Sequence, residues 1–433
     1  MKQQVNIGLI GFGTVGGGLF ALLKQNSELI FERTAVRLRV TTVCDKRVDY
    51  VKSAVPSDVR ITDDWRSVIE DPSIDTVVEL IGGIEPAKSI ILAALGAGKN
   101  VVSANKKLLA EAGDEILALA DRKEGKLAFE AAVGGGIPCL EALKNGLVGN
   151  NLQCVMGILN GTTNYILTKM EQQGLTFASA LQEAQQKGFA EADPTFDIEG
   201  YDAGHKICLL AMIAFNKKIS YKDIGIEGIT RLTADDFRFA RSLGYAIKLL
   251  GIARMTATGE IDVRVHPTMI PLDHQLAEVD HEFNAVLYEG DMTGPVLLYG
   301  RGAGALPTAS AVVSDIVQMA VKSEVRESAI SINGRAALLH PHKRILRYYF
   351  RLHTEDRAGI LEKIAGAFAE NNISIASMEQ PNTKGSPVTI FFLTHAALEE
   401  GVVKSVEKIN SFDFVKEPVL FIRVEDSENG TQQ

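Results

Sequence analysis

VNIGLIGFGTVG, residues 5–16, decides how the chain begins. Val5, Ile7, Leu9 and Ile10 make an apolar run fit for a parallel strand covered on both faces. Gly11, Gly13 and Gly16 follow in a GxGxxG spacing, and an apolar helix runs on to about Phe31. Strand, glycine turn and helix in this order are the context in which such a string binds a dinucleotide. Gly11 allows the tight turn, Gly13 lets the pyrophosphate reach the backbone, and Gly16 lets helix and strand pack closely. The phosphates then face the N–H groups of a helix N-terminus. Gly11, Phe12, Gly13, Thr14, Val15 and Gly16 are the expected contacts.

Further β-rich runs follow: RLRVTTVCD (37–45), IDTVVEL (74–80), NVVS (100–103) and LAFEA (127–131). Helical stretches such as Pro86 to Ala97 separate them, which means βαβ units and a parallel sheet. From about Gly134 to Leu298 the pattern changes. Helical patterns over Thr176–Lys187, Asp202–Phe215 and Ala234–Arg254 mix with β-type runs such as Ile261–Val265. Leu306–Ala320 reads as a helix packing back on the first domain. Near Arg347 a third unit begins. Its order is strand (Tyr348–His353), amphipathic helix (Asp356–Asn371), two strands (Ile373–Gln380 and Pro387–His395) around an NTKGSP turn, helix (Ala396–Ile409) and strand (Val415–Val424). That is βαββαβ. The expected fold is α/β with three parts. A Rossmann-type parallel sheet spans 1–133, completed by about 305–340. A central α+β substrate and dimerisation domain spans 134–304. A βαββαβ domain spans 347–425, ahead of a flexible tail at 426–433.

The 433 residues leave room for two to four domains, and 46% hydrophobic with 23% charged residues is ordinary for a globular protein. A net charge of −9 argues against nucleic-acid or anionic-membrane binding. No apolar stretch reaches the roughly 20 residues that span a bilayer. No secretory signal is visible in MKQQVNIGLI, so a cytoplasmic location is expected. Cys44, Cys139, Cys154 and Cys208 lie in apolar runs without CxxC spacing and read as buried free thiols.

Asp45 ends the second strand, where a carboxylate binds the ribose hydroxyls of NAD. Lys46 and Arg47 follow and offer charge to the 2′-phosphate of NADP, so both cofactors are expected, with NADP slightly favoured. Hydride transfer to a carbonyl needs an acid for the developing alkoxide. Lys106, in SANKK (103–107), lies past a strand end, where ligands of such sheets bind. A second source is FAEADPTFDIEGYDAGHK (189–206). Asp202 and Lys206 share one helix face there, and the carboxylate favours a charged lysine. Glu191, Asp193 and Asp197 on the preceding loop suit an ammonium group. His205 is turned off the shared face.

GFGTVG, SANKK, FEAAVGGGIP, ILNGTTNYIL, FAEADPTFDIEGYDAGHK and GAGALPTASAVVSD occur in this order. Together they resemble the homoserine dehydrogenases across roughly residues 5–325. The resemblance implies reduction of aspartate 4-semialdehyde to homoserine, toward threonine and methionine. It makes Lys206 the proton donor and Lys106 the lysine orienting substrate and nicotinamide. Gly188, Glu191 and Asp202 match substrate positions, and Gly304 matches a cofactor contact. Phe196 stands where some members carry a carboxylate. FEAAVGGGIP resembles a monovalent-cation loop, with Glu130 giving a carboxylate oxygen and Val133, Gly135 and Ile137 backbone carbonyls to an ion such as Na+. EDRAGIL (355–361) in the βαββαβ unit resembles an ACT domain, with Ala358 where proline is usual. Gly359 would let an amino-acid effector approach the backbone, and threonine is the candidate. A homo-oligomer, dimer or tetramer, is implied. No aspartate kinase pattern precedes the glycine loop, so a monofunctional enzyme is expected.

Two other readings stand beside this one. An aldehyde dehydrogenase needs a catalytic thiolate with a base. A nucleotide-binding sensor needs cofactor binding without turnover. Removing the last unit after about Leu346 is expected to leave a folded, active enzyme, because the preceding domains have cores of their own.

Overall fold

In the computed structural model of the chain, β1 (Gln4–Ile10) lies inside a sheet of six parallel strands. The others are β2 (Arg37–Cys44), β3 (Arg60–Thr62), β4 (Thr76–Glu79), β5 (Asn100–Ser103) and β6 (Leu127–Ala128). Their order is β3-β2-β1-β4-β5-β6. The order reverses at β1, and a crevice opens outside the carboxyl ends of strands at such a point. The core explains the placement of β1: Ile7 and Leu9 are fully buried, packed with Leu19, Val78, Val102 and Val312. The structure describes residues 4–122, 125–321, 332, 334–381 and 387–426. Most of the expected NTKGSP turn, and the tail beyond Asp426, lie outside the described residues.

The remaining strands are β7 (Leu152–Ile158), β8 (Gly225–Ile226), β9 (Tyr245–Met255), β10 (Ile261–Pro271), β11 (Phe283–Gly290), β12 (Gly294–Arg301), β13 (Ile345–Thr354), β14 (Ile375–Glu379), β15 (Val388–Thr394), β16 (Ala397–Leu398) and β17 (Leu420–Val424). Two compact units result. Met1–Val155, Gly204–Ile224 and Phe283–Ala336 form one, and Met156–Ala203, Gly225–Glu282 and Ala337–Gln433 the other. In the first unit β11 and β12 form an antiparallel hairpin. The helix Ala305–Val321 packs on the helix Thr14–Thr34 so closely that a Cβ on Gly18 would lie 2.5 Å from the Ala305 carbonyl oxygen.

In the second unit the strand order is β9-β10-β17-β13-β15-β14. The sequence pattern predicts one helix over Ala234–Arg254; the structure instead has a helix at Ala234–Ser242 and then β9. Gly244, at φ +84°, marks the break. Residues 246–253 are all buried, and a run covered on both faces shows no period by which to tell strand from helix. Lys248 fits there because its ammonium donates to the Val279 carbonyl at 2.8 Å and Asp280 at 3.0 Å.

The βαββαβ unit is not separable from this sheet. β17 pairs in parallel with β10, Thr268 opposite Arg423 and Met269 opposite Val424. Arg264, 2% exposed, forms ion pairs with Asp262 and with Glu425. Arg344 pairs with Asp262 at 2.9 Å, and Tyr349 and Arg351 both bond the buried Asp236. Asp426, the first residue of the expected tail, is held by Tyr245 and Arg347. Cutting after Leu346 would take β17 from one edge of β10 and leave Arg264 beside one carboxylate fewer, and breaking a buried pair costs about 3–5 kcal/mol. That corrects the expectation that the last unit can be removed freely.

Next to Arg264 sits His266, fully enclosed, whose Nε2 lies 3.0 Å from the Arg264 Nε. A guanidinium only donates, so Nε2 accepts and the ring is neutral. Burial, then the charges of Arg423 and Arg264, push its pKa well below the usual histidine value. The unfolded chain takes up a proton near pH 6.5 that the folded chain refuses. Stability should therefore fall as pH drops through that value, by up to about 1.4 kcal/mol per unit. Urea unfolding between pH 7 and 5.5 should show a steeper decline for the natural chain than for His266→Asn. Equal slopes would mean that the ring is charged in the fold.

Candidate active site

The glycine loop is built as its spacing requires. Gly11 has φ +101°, and a Cβ there would meet the Leu80 backbone at 2.8 Å. A Cβ on Gly16 would meet the Gly11 carbonyl oxygen at 2.6 Å, so strand end and helix start touch. Gly13 faces open space, which leaves its backbone accessible. The helix Thr14–Thr34 starts directly behind it with no side-chain cap, so its first N–H groups remain available to an anion.

Asp45 does more than wait for a ribose. Its Oδ2 accepts the Phe12 N–H at 2.8 Å, and its Oδ1 accepts the Arg47 N–H at 2.9 Å. The Arg47 guanidinium bonds both Asp45 oxygens and the Phe12 carbonyl. The Arg47 side chain, helped by the backbone donors of Arg47 and Phe12, outweighs burial, which acts the other way, and lowers the Asp45 pKa to about 2. Lys46 is exposed beside this pair. Asp45, Arg47 and Phe12 thus act as one brace for the glycine loop.

At the ends of β4 and β5 a second brace forms. Ser103 donates to the fully buried Glu79 at 2.6 Å, and Glu79 accepts the N–H groups of Ile81 and Gly82. Asn105 donates to the Gly83 carbonyl at 2.7 Å and caps the helix Lys106–Ala112. Lys106 is the first residue of that helix and is half-buried, whereas Lys107 is exposed. The same helix carries Glu111, whose Oε1 lies 2.7 Å from His205 Nε2. His205 stacks on Tyr221 with centroids 4.1 Å apart. His205 therefore fixes the turn that carries Lys206 against the helix that Lys106 opens, and does not share the Lys206 face.

Lys206 is 6% exposed and Asp202 4%, one turn apart on the helix Tyr201–Phe215. Sequence reading missed Asn160, the residue that organises this end. Its Nδ2 donates to Asp197 at 2.7 Å and Asp202 at 2.9 Å, and its Oδ1 caps the helix Gly161–Gln173. The available signal was an asparagine directly before a helical GTTNYIL run. Of the loop carboxylates, Asp193 accepts the Thr195 N–H, while Glu191 and Phe196 are exposed. Gly188 adopts φ +75° with open space at its α-carbon.

Glu130 is buried, and its oxygens accept the N–H groups of Leu140 and Glu141 at 2.8 and 2.7 Å. Burial outweighs those donors and pushes its pKa up to about 7. The loop holding Val133, Gly135 and Ile137 lies against the next glycine loop: a Cβ on Gly135 would meet Gly302 at 2.6 Å. Gly304, φ +119°, follows and precedes the helix Ala305–Val321. The structure thus gathers the glycine loop, Lys106, Lys206, Glu130 and Gly304 into the first unit. Gly188, Glu191, Asp202 and Gly359 belong to the second. All four cysteines are buried, and burial pushes the thiol pKa up to about 11 at Cys44 and about 12 at Cys208, and upward at Cys139. A thiolate route is disfavoured accordingly.

Three family models match. Residues 11–130 match the homoserine dehydrogenase NAD-binding domain, 138–317 the homoserine dehydrogenase catalytic family and 348–413 the ACT domain. A homoserine dehydrogenase from Neisseria gonorrhoeae is 43% identical over 98% of this chain and 99% of its own. The crystal structure of one from Thiobacillus denitrificans superposes with a TM-score of 0.92, at 43% identity, covering 98% of each chain. A hyperthermophilic archaeal homoserine dehydrogenase in complex with NADPH gives 0.63 at 27% identity, covering 74% of this chain and 98% of its own. Among the described residues no helix is long and apolar enough to cross a membrane.

The brace at Asp45 makes a testable statement about the nucleotide. Arg47 neutralises the Asp45 carboxylate, which would otherwise repel a 2′-phosphate, and its guanidinium would donate to one. Arg47→Ala should raise the KM for NADP roughly tenfold, the scale of one charge-assisted contact. The KM for NAD should change far less. Steady-state kinetics with both cofactors decides this, and equal effects would return Arg47 to a purely structural part.

Proposed function

Because the chain belongs to the homoserine dehydrogenase family, we propose that Lys206 is the proton donor with which this NAD(P)-dependent oxidoreductase reduces L-aspartate 4-semialdehyde to L-homoserine. The observation that carries the reading is the helix Tyr201–Phe215, which buries Asp202 and Lys206 one turn apart. The bound nicotinamide cofactor supplies a hydride to the carbonyl carbon, and the chain supplies everything else. Lys206 gives an ammonium proton to the alkoxide oxygen, and takes it back in the reverse direction. Lys106, at a helix start beyond β5, orients the substrate and the nicotinamide. Gly188, Glu191 and Asp202 hold the amino-acid end, with Asp202 fixed by Asn160. Gly11 to Gly16, Asp45, Lys46, Arg47 and Gly304 hold the dinucleotide.

A monovalent cation such as Na+ is assigned to Glu130 and the carbonyls of Val133, Gly135 and Ile137. Hard oxygen donors support that choice, as does a buried carboxylate whose charge burial opposes. The cation would order the loop, and no chemical step runs through it. Threonine is proposed as the inhibitor through the ACT domain, with Gly359, at φ +85° and open at its α-carbon, beside the ligand. A homo-oligomer acting in the cytoplasm, in threonine and methionine biosynthesis, completes the reading.

Homoserine oxidation should fall about 10²–10⁴-fold in Lys206→Ala while NADP affinity survives. Lys206→Arg should fail as well, because arginine does not give up its proton. Parallel loss of cofactor binding would make the lysine structural. On the full chain, threonine should inhibit without competing with homoserine. Gly359→Asn, which tolerates the left-handed backbone, should weaken inhibition at unchanged kcat. Competitive inhibition insensitive to Gly359 would place threonine at the active site.

A further inference from the structure

We infer that Arg423 and Glu227 are positioning residues through which the last strand of the C-terminal domain sets the loop that precedes Asp202. The inference rests on the proposed reading of Gly188–Asp202 as the substrate loop.

Arg423 lies on β17 with its side chain 5% exposed. A guanidinium keeps its charge wherever it is placed, so a buried one must be met by anions. Nε and Nη2 bond Glu399, the first residue of the helix Glu399–Asn410 in the C-terminal domain. Burial would raise the Glu399 pKa, but the Arg423 and Arg344 guanidiniums overcome it and hold the carboxyl below its usual range. Nη1 reaches the other way, to Glu227 Oε1 at 2.8 Å. Arg423 thus joins the C-terminal domain to the short segment after β8.

That segment is welded to the loop backbone. Glu227 N–H donates to the Val265 carbonyl at 2.8 Å, and Ile229 N–H to the Ile198 carbonyl at 2.9 Å. A Cβ on Gly228 would lie 2.4 Å from the Ile198 carbonyl oxygen and 2.6 Å from the Glu199 Cα. From the opposite side, a Cβ on Gly200 would lie 3.2 Å from Ile226 and 3.5 Å from the Glu227 carbonyl oxygen. With no side chain to cushion the contact, a displacement of Glu227 passes directly to Ile198–Gly200. Ile198 ends the helix Thr195–Ile198, and Asp197 on it shares the Asn160 amide with Asp202.

Glu227 is 48% exposed at its side chain. A half-exposed pair adds little to stability, so its effect belongs in geometry: a misplacement of about 1 Å at a site can cost about a hundredfold in rate. The test uses the full chain and steady-state homoserine oxidation. Glu227→Ala should raise the KM for homoserine about tenfold, leave the KM for NADP unchanged, and melt within about 2 °C of the natural chain. Glu227→Gln keeps an acceptor oxygen in place and should recover most of the loss. Glu191→Gln serves as the control for the loop itself. If Glu191→Gln leaves the homoserine KM unchanged, the substrate-loop reading fails and takes the inference with it. If Glu191→Gln raises it while Glu227→Ala behaves as the natural chain, the positioning role alone is overturned. That role is equally overturned if Glu227→Ala raises both KM values alike, or if glutamine recovers nothing.

Discussion

A guanidinium that cannot lose its charge lies at the centre of the second unit. Arg264 is almost wholly buried, and its pairing with Asp262 and Glu425 requires a central strand and the end of the last strand to stay together. Arg344 links Asp262 to Glu399, and Arg423 links Glu399 to Glu227. Such networks add little net stability against a well-packed apolar alternative, but leaving a buried charge without a counter-charge is costly. Their effect is to fix register. β17 can meet β10 only where Glu425 finds Arg264, and the Glu425 N–H then donates to the Met269 carbonyl at 2.9 Å. An ACT domain tied in this way is well placed to influence catalysis, because its anchor also borders Ile198–Gly200.

The first unit obeys a different constraint, the close approach of backbones at strand ends. Gly11 against Leu80, Gly16 against Gly11, Gly18 against Ala305 and Gly135 against Gly302 are all contacts that a side chain would break. Polar side chains then lock what the glycines bring together: Glu79 with Ser103, Asp45 with Phe12 and Arg47, Glu111 with His205. Lys106 and Lys206 sit one residue beyond such a lock, at Asn105 and His205 respectively. Rigid support of this kind suits the proton transfer proposed for Lys206, whose groups must be held within a fraction of an ångström.

Much of this was legible in the sequence, and the reason is locality. GFGTVG states its own strand, turn and helix within a dozen residues, and Asp202 and Lys206 announce a shared face by spacing alone. The β9 run reads as helix because burial on both faces erases the period that would tell strand from helix. Asn160 lay in view but undervalued, since its role depends on two carboxylates 37 and 42 positions away. Glu111 with His205 is separated by 94 positions and Glu227 with Arg423 by 196. Nothing local in the chain marks such pairs. The pairing of β17 with β10 escapes local reading for the same reason: the composition of the last unit shows a core of its own, but not that its final strand also borders another strand.

If Arg264 ties β10 to β17 as its ion pairs require, the two strands must open together. Native-state hydrogen exchange on the full chain tests this directly, at the amides of Thr268, Met269, Arg423 and Val424. A common opening free energy, equal to that of global unfolding, is the predicted result. Opening of β17 at markedly lower free energy, with β9 and β10 still protected, would contradict it.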